Sequence, residues 1–216
     1  MSGTTDETPI IITSANRFGA DVADPDFPVD DPMALLGLWL PENEDELRPL
    51  MTLSTLGLDG YPDSRHLLLS AFDGEALYFH TSTKSRKVAE IDADPRVGLA
   101  LVWVEIGRQL TVAGDAVLLT GEEAAIAYRA RSRYLQLLAW VSSDEVAALP
   151  REERLARWND FATAHPEVPL EAPETWTGYK VIPRRLTFWR GDAEGPSTRV
   201  EYTRTGDGWT VERIAG

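Results

Sequence analysis

From residue 51 onward, apolar side chains recur mostly at every second position, in short runs. Met51–Leu56, Asp63–Ala71, Leu77–Thr81, Val97–Val104 and Arg108–Thr120 each read as a strand. Gly57-Leu58-Asp59-Gly60 and Phe72-Asp73-Gly74 supply turns between the first three. Residues 85–93 take a helical spacing that stops before Pro95, because the position preceding a proline disfavours the helical conformation. Past the fifth strand the period lengthens. Residues 121–138 predict one helix, with Glu122 and Glu123 at its start and Arg129, Arg131 and Arg133 towards its end. Leu149–Ala164 predicts a second, carrying a Leu155, Trp158 and Phe161 stripe. Short strands return at Tyr179–Ile182 and Leu186–Trp189. Val200–Arg204 and Trp209–Ile214 form a hairpin across Thr205-Gly206-Asp207-Gly208. Upstream, Asp30-Asp31-Pro32 signals the start of a helix that runs from Met33 to Leu40 and ends at Pro41. Residues 1–30 are polar and proline-containing and read as a flexible arm before one domain at 31–216. Short strands joined by tight turns predict a mainly β, antiparallel, Greek-key-like barrel with attached helices, an α+β class. Long helices do not follow every strand, so a doubly wound parallel sheet is disfavoured.

Composition narrows the chemistry. The chain has 216 residues and no Cys, which excludes disulfides, thiolate metal sites and thiol nucleophiles. No apolar run reaches the roughly 18 residues of a membrane span. The first residues lack a basic-then-apolar leader pattern, so a cytoplasmic location is expected. A formal net charge of −14 argues against nucleic acid or an anionic membrane as partner. The three His have no metal-ligand spacing, and no Gly-x-Ser-x-Gly elbow, P-loop or Gly-x-Gly-x-x-Gly is present.

Cations are nevertheless concentrated in one place. Ser82-Thr-Lys-Ser-Arg-Lys87 sits where a helix should begin, an end that carries partial positive charge and unpaired N–H groups. Ser85, Arg86 and Lys87 there read as a phosphate clamp or as a solvated basic turn. Arg65 interrupts the apolar strand Ser64-Arg65-His66-Leu67-Leu68-Leu69, sharing a face with Leu67 and Leu69. An Arg on a packed face requires an anion, either a ligand phosphate or a carboxylate of the chain. Gln109 and Thr111 share one face of the fifth strand.

Taken together, these stretches resemble the pyridoxamine 5′-phosphate oxidase family from about Asp31 to the C-terminus. The matching segments are Asp31-Pro32-Met33, Trp39-Leu40, Pro62-Asp63-Ser64-Arg65, Tyr78-Phe79-His80-Thr81-Ser82, Ser85-Arg86-Lys87, Arg108-Gln109, Ala139-Trp140-Val141-Ser142, Trp176-Thr177-Gly178-Tyr179, Phe188-Trp189 and Gly208-Trp209. The resemblance implies a split β-barrel that is homodimeric and binds FMN at the subunit interface. It assigns cofactor contacts to Arg65, His66, Leu67, Leu68 and Ser70, to His80 and Thr81, and to Ser85, Arg86, Lys87 and Gln109. Trp189 and Arg199 would close the cofactor site from the other subunit. Substrate contacts would fall at Ser70, Tyr128, Arg131, Leu135 and Ser197. No metal is implied.

The departures from the family pattern are specific. A Lys that binds the substrate phosphate in the family is Ser70 here. An Arg-Leu-His-Asp-Arg run appears as Gly195-Pro196-Ser197-Thr198-Arg199, in which only the final Arg survives. Family Tyr and Ser positions are Ala127 and Leu135. A Gln-Ser pair that touches FMN appears as Asp144-Glu145. Ser at the Lys position is also similar to relatives that oxidise phenazine precursors. The implied activity is an FMN-dependent oxidase acting on a small, aromatic or secondary-metabolite-like substrate, with reoxidation by oxygen. Two alternatives stay open: a true pyridoxamine/pyridoxine 5′-phosphate oxidase, and a non-catalytic flavin-binding protein.

Overall fold

A computed structural model describes residues 28–40, 50–166, 170–191 and 196–215. The expected arm at 1–30 lies almost wholly outside the described residues. The chain divides into two compact units. Unit 1 comprises residues 1–79, 86–117 and 179–216; unit 2 comprises 80–85 and 118–178.

Unit 1 is built on a mostly antiparallel sheet. Its strands are β1 (Leu50–Leu56), β2 (Pro62–Leu68), β3 (Ala71–Phe72), β4 (Leu77–Ser82), β5 (Arg96–Trp103), β6 (Arg108–Leu118), β7 (Trp176–Arg190), β8 (Thr198–Thr205) and β9 (Gly208–Ile214). The sheet order is β2-β1-β5-β6-β7-β4-β3, with β8 on β7 and β9 on β8. The β1–β5 and β7–β4 neighbours depart from a simple meander, as a Greek-key-like arrangement requires. Alternation sets the core face. Met51 and Leu53 of β1, Val97, Leu99, Leu101 and Trp103 of β5, and Leu110 and Val112 of β6 are buried. Helix α1 (Pro32–Trp39) is capped by Asp31, whose carboxylate accepts from the Met33 N–H at 2.9 Å. It delivers Trp39 edge-on to Trp103 and Phe188, with ring centroids 5.8 and 5.0 Å away. Helix α2 (Arg86–Ala93) buries Val88, Glu90 and Ile91 and ends before Asp94-Pro95.

Unit 2 is helical: α3 (Gly121–Arg129), α4 (Arg133–Val141), α5 (Asp144–Ala147) and α6 (Arg151–Ala164). Thr120 and Glu123 form a reciprocal capping box on α3, which fixes that start.

Three expectations are corrected. The helix expected over 121–138 is broken at Ala130–Ser132, where α3 closes and α4 begins. The α6 helix is borne out over Arg151–Ala164, and no α6 residue is buried. Leu155 and Trp158 line a groove of about 510 Å³ with Tyr134 and Leu138. The strand expected over 63–71 ends at Leu68, and Ala71–Phe72 pairs separately with β4. The two short strands expected at 179–182 and 186–189 are parts of one 15-residue strand. Its alternation slips by one where Arg184 and Arg185 are both exposed, the mark of a bulge-like irregularity.

Candidate functional site

The register of β1 on β2 builds the site. Thr55 stands opposite Asp63, and Leu53 opposite Arg65. Asp63 and Arg65 lie two residues apart on one strand face, and α2 packs against β1. Arg65 Nη1 donates to Thr55 Oγ1 at 2.6 Å. Arg65 Nη2 donates to Glu90 Oε2 at 2.6 Å and to Asp63 Oδ2 at 2.7 Å. The Thr55 hydroxyl donates to Glu90 Oε2 at 2.6 Å. Arg86 pairs with Glu90 through Nε at 3.2 Å, one helical turn apart, and with Asp63 through Nη2. Both carboxylates therefore hold both guanidinium groups.

The two carboxylates differ in setting. The Glu90 side chain is 2% exposed, and a buried carboxylate is tolerated only when paired and hydrogen-bonded. The Asp63 side chain is 24% exposed and Arg86 74%. Partial burial works to raise the Asp63 pKa. The hydrogen bonds and charges of Arg86 and Arg65 outweigh it and hold the carboxyl below its ordinary value. Arg86 is raised by its hydrogen bond to Asp63. Lys87 is lowered, first by burial and then by repulsion from Arg65, against the attraction of Glu90. Arg65, Arg86 and Lys87 thus gather around Asp63 and Glu90, with Asp59 also acting on Arg86, in a chain of net charge −14.

The other expected positions in unit 1 distribute as follows. Leu67 shares the Arg65 face, whereas His66 is exposed and bonds Thr52 Oγ1 at 3.0 Å. Leu68 ends β2, and the Ser70 N–H donates to the Tyr78 carbonyl at 2.8 Å. Gln109 is exposed on β6 opposite Val102. Trp189 of β7 and Arg199 of β8 are direct cross-strand partners, both half-buried, and Ser197 precedes β8.

In unit 2, Trp176 is the organising side chain. His80 stacks on it at 5.1 Å and 2°, and the Arg131 guanidinium lies over the same ring system at 4.7 Å. Tyr128 meets Trp176 edge-on at 5.3 Å. The Trp176 indole N–H donates to the Ala124 carbonyl at 2.8 Å. Both His80 ring nitrogens are buried without a hydrogen-bond partner. Burial, reinforced by Arg131, lowers the His80 pKa to about 4. Gly178 makes this packing possible: a Cβ there would stand 2.5 Å from His80 Cδ2. Thr81 and Ser85 are half-buried at the end of β4 and just before α2. Tyr128 and Leu135, expected to touch substrate, are core residues. Tyr128 is 0% exposed and its hydroxyl donates to the Gln136 carbonyl at 3.0 Å. Asp144 and Glu145 are exposed on the short helix α5.

Comparison with known proteins gives the chain a family. A model described as pyridoxamine 5′-phosphate oxidase matches residues 42–158. A second, described as the pyridoxine 5′-phosphate oxidase C-terminal dimerisation region, matches residues 176–216. The chain belongs to the pyridoxamine 5′-phosphate oxidase family. It is 36% identical over 200 residues to the pyridoxine/pyridoxamine 5′-phosphate oxidase of Rubrobacter xylanophilus, covering 90% of this chain and 88% of that protein. The enzyme of the same name from a Nocardioides species is 35% identical, covering 92% and 93%. Among solved structures, PhzG from Burkholderia lata, in complex with tetrahydrophenazine-1-carboxylic acid, superposes with a TM-score of 0.77 and 27% identity, covering 91% of this chain and 98% of that one.

The family pattern led to Arg65, Arg86 and Lys87 but not to the residues that fix them. Asp63 and Glu90 had readable local signals, and Thr55 had none. Glu90 follows Arg86 by one helical turn, and Asp63 precedes Arg65 by one strand period. Trp176, the platform for His80 and Arg131, is a member of a matching segment whose role only the packing reveals.

Proposed function

We propose that this member of the pyridoxamine 5′-phosphate oxidase family is an FMN-dependent oxidase of a small aromatic substrate other than pyridoxamine phosphate. The observation that carries the proposal is the pairing of a retained cation cluster with a neutral Ser70. The Arg65 fork on β2, with the Arg86 fork and Lys87 ammonium at the first turn of α2, fits a phosphate-terminated cofactor, because forks meet phosphate oxygens bidentately and the helix start adds favourable dipole. Arg65, Arg86 and Lys87 would hold that phosphate. Gln109 would approach the rest of the cofactor, and the partner subunit's Trp189 and Arg199, cross-strand neighbours, would close over it. The resemblance adds His66, Leu67, Leu68, His80, Thr81 and Ser85 to the cofactor contacts. When bound, FMN would supply the redox chemistry, taking a hydride equivalent from a substrate C–H or N–H bond and passing the electrons to oxygen. The protein would bind, orient and exclude water, so no side-chain nucleophile is needed. The ligand of PhzG, an aromatic-type carboxylic acid, supports the substrate class.

A second reading has its own support: relatives 36% and 35% identical over most of their length are pyridoxine/pyridoxamine 5′-phosphate oxidases. One experiment separates the two. Purified protein should carry oxidised-flavin absorption. Anaerobic addition of a dihydrophenazine carboxylic acid should bleach it far faster than pyridoxine 5′-phosphate does. Rapid bleaching by pyridoxine 5′-phosphate with stoichiometric pyridoxal phosphate would decide for the second reading. Failure to bind flavin would defeat both.

A further inference from the structure

The two carboxylates of the cation cluster are not equivalent, and the difference has a functional consequence. Glu90 is enclosed and holds Arg65, Arg86 and Thr55 together. Its departure would strand a buried charge, so it is a permanent anchor. Asp63 is partly exposed on β2, which lies at one end of the sheet order. It places one oxygen, Oδ2, between Arg65 Nη2 and Arg86 Nη2. Those are donor hydrogens of the kind a phosphoryl group uses. A rotation about χ1 would move the carboxylate towards water and release Arg86, whose side chain is 74% exposed and whose ion pair is correspondingly weak.

We propose that Asp63 is an internal counter-anion of the clamp: it bridges Arg65 and Arg86, yields Arg86 to an incoming phosphoryl group, and thereby sets the affinity and charge selectivity of the site. The proposal rests on the phosphate-clamp reading given above. Neutralising Asp63 removes one negative charge from beside both guanidinium groups and so makes the cluster more positive by one unit. Glu90 keeps Arg65 oriented in either case. Asp63 therefore acts as a brake on anion binding, and Glu90 as a scaffold.

The test compares flavin binding, with and without the phosphate, in flavin-stripped full-length protein. FMN and riboflavin are titrated against wild type and Asp63→Asn, with quenching of flavin fluorescence as the readout. Wild type should prefer FMN. Asp63→Asn should bind FMN about three- to tenfold more tightly and riboflavin unchanged. FMN binding that is unchanged or weaker in Asp63→Asn, with the wild-type FMN preference intact, overturns the counter-anion and makes Asp63 an aligning residue. Wild type that does not distinguish FMN from riboflavin overturns the clamp itself. Asp63→Ser, which also removes the charge, carries the same expectation if the Asn variant folds poorly.

Discussion

His80 should make the helical unit acid-sensitive in the range where His titrates, and the size of the effect can be worked out. Its ring is sandwiched against Trp176, neither nitrogen has a hydrogen-bond partner, and Arg131 adds positive charge nearby. Protonation in the folded state would bury an unpaired cation beside another cation. The folded-state pKa is accordingly lowered from 6.5 to about 4. The unfolded chain binds the proton first, so stability is full above pH 6.5 and falls as the pH drops from there towards 4. At about pH 5 the linkage relation gives a loss of roughly 2 kcal/mol, and it approaches about 3 kcal/mol below the folded pKa. The perturbation is His80→Phe, which keeps a ring on Trp176 and removes the titration. Urea unfolding followed by helical circular dichroism should show wild type losing about 2 kcal/mol more than the variant between roughly pH 7.5 and pH 5. Carboxylates titrate over part of the same range, but they do so in both proteins, so the difference isolates His80. Parallel stability curves for the two proteins would refute the reasoning.

Replacing both Arg86 and Lys87 by Ala should weaken FMN binding by roughly a hundredfold, the equivalent of about 3 kcal/mol from lost charge-assisted bonds, with the fold intact by circular dichroism. Unchanged FMN affinity in that variant would remove the clamp from the account. Gly114→Ala would place a Cβ 2.5 Å from the Ile182 carbonyl oxygen and 3.0 Å from Val181 Cγ1. Backbone cannot yield as a flexible side chain does, so the variant should lose about 1–3 kcal/mol and melt roughly 2–10 °C lower by calorimetry.

Much of the barrel could be read in the chain because its strands obey local rules. β1, β5 and β6 alternate cleanly, and the turn between β8 and β9 carries Gly206 at φ 58°. Where reading failed, a local rule was broken. In β7 the interior Pro183 and the slip at Arg184–Arg185 disguise one strand as two. Between α3 and α4, Ser132 caps without a side-chain hydrogen bond, so the break carries only a weak signature in the sequence. The site shows the same division. Alternation puts Arg65 on a packed face and demands an anion there. That the anion is Glu90 depends on how α2 lies on β1, which no periodicity encodes.

The charges retained and lost argue together about the substrate. Under the proposed reading, the cofactor cluster keeps all three of its cations, and Glu90 is buried to hold two of them in place. At the positions that the family uses for a phosphorylated substrate, Ser70 is neutral, the His of the C-terminal run is absent, and Leu135 is buried. Each lost charge-assisted bond costs about 1.5–3 kcal/mol, so two together reduce affinity for a phosphate ester by at least a hundredfold. Arg131 remains, spread over the Trp176 ring. A single guanidinium on an aromatic platform is matched to one carboxylate beside a flat ring better than to a phosphate dianion. Adding a lone Lys at position 70 would leave that mismatch in place, because a phosphate site needs its cations together. Under the proposed reading the favoured substrate is therefore a planar monoacid, and efficient turnover of pyridoxine 5′-phosphate would refute that step.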